Sequence, residues 1–237
     1  MQPDEQVVPL LQNGDLEVLG ILPNASNYTF LARVAANGAE VKGVYKPRTG
    51  EAPLWDFPDG TLCNREVAAY VVARHLGWPA VPPTVLRDGP EGPGSLQLFI
   101  EFDPNEHFFT LREKHQEEFR RVAAFDAIVN NADRKGGHCL LGSDGRIHVI
   151  DHGVCFNADP KLRTVVWDFA GEPLPEELAN DLQEFGLSLR GGDLRRSLES
   201  LLDAAEMDSL AARTSALVES RQFPVPGSGR PYPWPMI

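Results

Sequence analysis

Apolar positions recur in short bursts along the first third of the chain, in DLEVLGI, YTFLARVAA and EVKGVYKP, with PNAS and ANGAE between them. The pattern predicts three strands near residues 15–22, 27–35 and 40–46, joined as an antiparallel meander. A loop rich in Pro, Gly and Asp follows, PRTGEAPLWDFPDG, and then NREVAAYVVARHLGW. There Val67, Val71 and Leu76 line up with Tyr70 and Ala73 on one broad helical face, and Gly77 and Pro79 end the helix. VPPTVLRDG and GSLQLFIEF read as two more strands around a Gly/Pro turn. From residue 110 the period changes. LREKHQEEFRRVAAFDAIVNN predicts one long helix with Phe119, Val122, Ala123 and Val129 facing inward. CLLGS and RIHVID predict a hairpin closed by Ser143-Asp144-Gly145. PEELANDLQEFGL, GDLRRSLESLLDAA and MDSLAARTSALVES are helical, and FPVPGSGRPYPWPMI is a Pro-rich tail, extended or loosely docked.

The expected architecture is α+β and two-lobed. Residues 1–103 form a β-rich lobe with one helix, residues 104–222 a helical lobe, and residues 223–237 the tail. The chain has 237 residues, 42% of them apolar and 24% charged, as in an ordinary globular protein. No apolar run approaches the roughly 20 residues that span a bilayer. The first residues lack the basic-then-apolar order of a secretory signal. Three scattered cysteines, Cys63, Cys139 and Cys155, fit a reduced, cytoplasmic chain. A formal charge of −12 repels nucleic acid and anionic membranes, and no basic cluster overrides it. Neither nucleic-acid binding nor stable membrane anchoring is expected.

Charge changes the picture most in FDAIVNNADRKGGHCLLGSDGRIHVIDHGVCF, residues 125–156. Asp133 falls in a glycine-containing polar loop directly after a helix, and Asp151 ends an apolar strand shortly before Gly153. Phosphoryl transfer from ATP needs a lysine on the phosphates and an acidic helix residue to hold that lysine. It also needs one carboxylate near the acceptor hydroxyl and another on Mg²⁺. Lys46 closes a strand in GVYKPR, and Glu66 lies near the start of the next helix. Asp133, then His138 as a metal-binding residue, a hairpin, and Asp151-His152-Gly153 keep the kinase order of loop aspartate, metal residue, hairpin and Asp-x-Gly. Lys135 could neutralise the γ-phosphate. Alone, Asp133 would read as a loop residue and Asp151 as a turn former. Their ordered set favours chemistry.

These segments resemble the phosphatidylinositol 3/4-kinase-like superfamily of atypical kinases, closest in motifs to type II phosphatidylinositol 4-kinases and more distantly to HipA-type kinases. GVYKPRTGE resembles its lysine strand, FDAIVNNADR its catalytic loop, IDHGVCF its metal motif, and VVWDFAGEPLP the segment after it. The similarity covers about residues 40–176. The resemblance implies a compact two-lobed atypical-kinase fold, with ATP and Mg²⁺ or Mn²⁺ as cofactors. Lys46 would contact the phosphates, Glu66 would orient it, Asp133 would meet the acceptor, and Asp151 would hold the metal. The turn from Pro23 to Asn27, with Ser26 and Asn27 as donors, would cover the phosphates without the usual glycine. Glu101 and Phe102 would form the hinge against adenine. His138 stands where the family usually has asparagine, and imidazole suits Mn²⁺ better than hard Mg²⁺.

Other residues carry blander readings. Asp126, on the helix among apolar residues, reads as a structural partner of the catalytic loop, and Asn130 and Asn131 as braces for it. Trp55, Trp78 and Trp167 read as packing residues. His148, His152, Cys139 and Cys155 match no tetrahedral zinc spacing. The expected function is ATP-dependent transfer of the γ-phosphate to a hydroxyl of an unknown protein or small soluble acceptor. The alternatives are a phosphatidylinositol kinase, and a nucleotide-binding pseudokinase or AMP-transferring regulatory module.

Overall fold

The computed structural model describes residues 4–23 and 27–237. Five antiparallel strands form its sheet in the order β1-β2-β3-β5-β4. They are β1 (Asp15–Ile21), β2 (Phe30–Ala36), β3 (Ala39–Pro47), β4 (Thr84–Gly89) and β5 (Gly92–Leu98). The β3–β5 register sets Lys46 opposite Ser95, beside Tyr45 opposite Leu96. Because side chains alternate across a strand, Tyr45 enters the sheet core while Lys46 faces the other way. A helix absent from the sequence reading, α1 (Asp4–Asn13), covers that core with Val7, Leu10 and Leu11. Pro9 lies inside it and hides the helical signal. Arg87 of β4 donates to the Leu11 and Gly14 carbonyls at 2.8 and 2.9 Å, satisfying acceptors at the end of α1.

Between sheet and helical lobe lies α2 (Leu62–Leu76), ended by Gly77 in the left-handed conformation at φ 77°. It is buried on most of its circumference, and Ala68, Ala69, Tyr70, Val72 and Ala73 join the large helical core. The long helix expected from Leu111 starts instead at Gln116, as α4 (Gln116–Val129), and a short helix, α3 (Phe108–Leu111), precedes it. His115, at φ −122° and ψ 40°, breaks the run. The charged Arg112-Glu113-Lys114 offers no apolar face to continue it. Phe108 instead turns inward, edge-on to Phe119 at 4.9 Å. The hairpin β6 (Cys139–Leu141) and β7 (Ile147–Val149) follows, turning at Gly145 with φ 75°. Three helices complete the lobe: α5 (Glu176–Ser188), α6 (Gly192–Glu199) and α7 (Ala204–Ser220).

The Pro-rich tail is extended and pinned. The Pro231 carbonyl accepts from the Thr164 amide at 3.0 Å and from Trp167 Nε1 at 3.1 Å, and the Met236 carbonyl accepts from the Gly136 amide at 2.7 Å.

A buried ion pair ties α2 to α7. Arg65, 1% exposed, is bonded to Glu206, donates to the Cys155 carbonyl at 2.7 Å and lies over the Phe57 ring. Glu206 also closes a capping box with Asp203. Removing one partner of such a pair leaves a buried charge uncompensated. Glu206→Ala is therefore expected to lower the unfolding free energy by about 3–5 kcal/mol, read from urea midpoints. A loss below about 1 kcal/mol would show that Arg65 finds water or another acceptor.

Candidate active site

Glu66 is the junction of the site. It is 3% exposed; one carboxylate oxygen accepts from Lys46 on β3, and the other accepts from the His152 amide at 2.9 Å. Lys46 Nζ also lies 2.9 Å from Asp151 Oδ1. Burial opposes the Lys46 charge, but Asp151 and Glu66 outweigh it and hold its pKa above the ordinary lysine value. Lys46 in turn drives the Asp151 carboxyl far below the usual carboxylate range. Asp151 keeps a half-exposed side chain facing the cleft, on a backbone at φ 61°. That left-handed position is one an aspartate tolerates better than most residues.

His138 closes a 3-10 turn, Gly136–His138, next to Asp151. Burial lowers its pKa to about 4 even though Asp151 pulls the other way, so the ring is neutral near pH 7. Its Nδ1 accepts from the Lys135 amide at 3.3 Å. In a neutral imidazole the proton then sits on Nε2, which lies 3.3 Å from Asp151 Oδ2. His138 thus stands as a neutral ring beside the Asp151 carboxylate.

The loop bearing Asp133 is braced from below. Asn130, left-handed at φ 54°, donates to the Asn157 and Asp159 carbonyls. Asn131 donates to Asp126 and accepts from the Asp133 amide, both at 3.0 Å. Asp126 receives Arg134 through both carboxylate oxygens, together with Thr164. Arg134, fully buried, also donates to the Ile150 carbonyl at 2.8 Å and faces His152 Nε2 at 2.7 Å. The sequence singled out Asp126 as a strut; its partner Arg134 was missed, although it directly follows Asp133.

The Asp133 side chain points away from this scaffold, which holds only its amide. Its carboxylate meets Lys135 Nζ at 3.1 Å, and burial raises its pKa against the opposing pull of Lys135. Lys135 therefore stands beside Asp133. Lys46, Glu66, Asp133 and Asp151 line one cleft of about 360 Å³, with Asn27, Trp55 and Arg163. Asn27 accepts from the Ala52 amide at 2.8 Å, while Ser26 lies outside the described residues. Glu101 and Phe102 join the lobes away from this cleft. The Glu101 side chain pairs with Lys42, its carbonyl accepts from the Ser143 amide, and Phe102 bridges to Gly142.

Two cleft-side residues were missed or misread. Glu51 caps α2 by accepting from the Leu62 and Cys63 amides at 3.1 and 2.8 Å, a contact that no local spacing announces. Trp55, expected to pack, is 92% exposed at the cleft; Trp78 is buried, with Nε1 donating to Asp181, and Trp167 packs under the tail.

Residues 83–209 match the phosphatidylinositol 3- and 4-kinase family. The chain belongs to that family. It is 38% identical to Protein Rv2133c of Mycobacterium tuberculosis, over 99% of this chain and 96% of that protein. It is 32% identical to phosphatidylinositol 4-kinase gamma 4 of Oryza sativa subsp. japonica, over 48% of this chain and 24% of that protein. The chain therefore spans about a quarter of this plant relative. Among solved structures, the Golgi casein kinase with Mn/ADP bound superposes with a TM-score of 0.56, covering 91% of this chain and 74% of that one. At 13% identity that likeness shows the fold, the two-lobed atypical-kinase architecture. Asp133 and Asp151 lie within the matched residues, on loops of the helical lobe, and Lys46, on β3, lies before them.

The neutral state of His138 makes a pH prediction. With a folded pKa of about 4 and an ordinary unfolded value of 6.5, the unfolded chain binds more protons between those limits. Stability is complete above pH 6.5 and falls on acidification toward pH 4, by on the order of 3 kcal/mol from this group. His152, also depressed by burial, acts with the same sign. Urea unfolding in EDTA from pH 7 to 4 should give a shallower slope for His138→Gln than for wild type. Equal slopes would place the titration elsewhere.

Proposed function

We propose that this chain transfers the γ-phosphate of ATP to a hydroxyl of a protein or small soluble acceptor. The observation that carries the reading is Glu66, which joins Lys46 to the Asp151-His152-Gly153 loop in one buried bridge. Lys46 is held charged where triphosphate oxygens would replace its contact with Asp151. Asn27 lines the same cleft and would face the phosphates, whereas Glu101 and Phe102, at the junction of the lobes, lie outside its lining and would reach adenine only at its margin.

Asp151 fits a divalent cation. It is a hard oxygen donor, firmly ionised and half exposed in the cleft, and Mg²⁺ is commonly bound by one or two carboxylates plus phosphates. A bound Mg²⁺ or Mn²⁺ ion would neutralise charge on the phosphate oxygens. His138, a neutral ring with Nε2 3.3 Å from Asp151 Oδ2, stands beside a site in which Asp151 is the principal ligand. It would join as a second ligand only by exchanging tautomer.

In the transfer, the acceptor oxygen attacks the γ-phosphorus and forms a new P–O bond. The bond to the β,γ-bridging oxygen breaks, and its electron pair leaves with ADP. The acceptor proton passes to the Asp133 carboxylate, whose raised pKa suits a base. Lys135 holds that carboxylate in place.

The family relationship supports a second reading, a phosphatidylinositol kinase. Against it stand the net charge of −12 and the lack of a basic cluster in the sequence to draw the chain to anionic lipid. A pseudokinase reading is opposed by the presence of all four charged groups.

Thermal stabilisation by ATP should require Mg²⁺ or Mn²⁺ in wild type, lose that requirement in Asp151→Asn, and weaken in Lys46→Met. Asp133→Asn should retain nucleotide binding while transfer falls about 10²–10⁴-fold. Label from γ-labelled ATP should reach the acceptor; label from α-labelled ATP would establish AMP transfer instead. Metal-dependent stabilisation that survives Asp151→Asn would overturn the metal assignment.

A further inference from the structure

We propose that Arg163 and Trp55 form the acceptor subsite, and that it takes a small soluble hydroxyl compound carrying a phosphate or carboxylate beside a flat ring face. The inference rests on the kinase reading and adds the acceptor's chemistry to it.

Arg163 is mounted on the catalytic loop from both sides. Its amide donates to the Asn131 carbonyl at 2.8 Å, and its carbonyl accepts from the Arg134 amide at 2.9 Å. The root of its side chain is therefore fixed beside Asp133, and both residues line the cleft. Its positive charge also acts on the Asp133 carboxylate. The neighbouring cations are engaged: Lys46 with Glu66 and Asp151, Lys135 with Asp133, and Lys161 with Asp56 at 3.0 Å. Among the described residues, the Arg163 guanidinium has no ion pair and no side-chain hydrogen bond. With 34 acidic residues against 22 Lys and Arg in the chain, a guanidinium left unpaired in the cleft points to an anion from outside. Its planar fork matches phosphate or carboxylate through two parallel bonds.

Trp55 supplies the second half. Its 92% exposure is not the result of a slack loop. Asn157 Nδ2 donates to the Asp56 carbonyl at 2.6 Å, Lys161 pairs with Asp56, and Glu51 and Ala52 are anchored to α2 and Asn27. Lys161 Nζ lies 5.0 Å from the centre of the indole ring. With its backbone braced and Lys161 over one face, the indole leaves its other face exposed at the cleft as a platform for a ring, from stacking and apolar contact. The cleft volume of about 360 Å³ is that of a small-molecule site.

The test is calorimetric titration of the full chain with ADP and Mg²⁺ present. The probes are ribose 5-phosphate and glucuronate against ribose and glucose. The anionic sugars should bind at least tenfold tighter than their neutral partners. Arg163→Ala should abolish that preference, Arg163→Lys should keep part of it, and Trp55→Ala should weaken all four sugars. Comparison of the two anionic arms separates phosphate from carboxylate. Equal binding of neutral and anionic sugars, binding of none, or a preference surviving Arg163→Ala would overturn the proposal. ADP affinity, measured in every protein, keeps the outcomes apart. Wild type that fails to bind ADP–Mg²⁺ sinks the kinase reading, whereas normal ADP binding without anion preference sinks the acceptor subsite alone.

Discussion

The constraint on which the site depends is a carboxylate that cannot be left alone. Glu66 is buried in the side of a helix packed between two lobes, where an unpaired charge would be strongly unfavourable. Its two oxygens are satisfied by groups from different parts of the chain, the Lys46 ammonium from the sheet and the His152 amide from the loop after β7. Neither lobe could satisfy it unaided. The same bridge fixes Lys46 and the backbone next to Asp151, so the requirement that Glu66 be paired becomes a requirement that the reactive groups be aligned.

A second buried charge does the same work inside the helical lobe. Arg134 is fully buried and reaches Asp126, the Ile150 carbonyl and His152 at once. Asp126 in turn holds Asn131, which positions the Asp133 amide. The loop bearing Asp133 and the strand end bearing Asp151 are thus tied to one guanidinium, and the Glu66 and Arg134 systems meet at His152. Cooperative satisfaction of this kind explains why so many polar groups lie below the cleft without loosening the core around Phe119, Phe125 and Ile128.

What was legible in the sequence follows from these physics. Lys46, Glu66, Asp133 and Asp151 each stand at a strand end, an early helical turn or a loop next to an apolar run, and local pattern exposes such positions. Strands β2 and β3 were legible because alternation survives in them, and β5 because a mostly apolar run adjoins a Gly/Pro turn. Helix α1 was not, because Pro9 interrupts its signal while burial of Val7, Leu10 and Leu11 sustains it. The break between α3 and α4 was hidden because Arg112-Glu113-Lys114 are good helix formers whose preference is overridden by the inward turn of Phe108. Glu51 and Arg134 act through partners that proximity in sequence does not reveal or does not explain. Trp55 was misread because the usual home of a tryptophan is a core, and only the braces around it show that its exposure is held in place.

Charge remains to be reconciled with substrate. A chain at −12 repels a triphosphate at long range, yet its cleft holds Lys46 and Arg163, with Lys135 beside Asp133, among its acidic groups. Screening removes most of the long-range repulsion beyond about 8 Å at physiological salt, whereas partly buried charges inside the cleft are screened much less. Binding is therefore governed by the local set. Glu66, Asp133 and Asp151 together cancel the local positive charge, so a phosphate arriving alone would gain little from it. On the proposed reading, a divalent cation on Asp151 would tip that balance and free Lys46 for the phosphates. On this reading, the depressed pKa of Asp151 keeps the carboxylate ionised and ready for metal, and the acidic surface deters anionic partners that cannot enter the cleft.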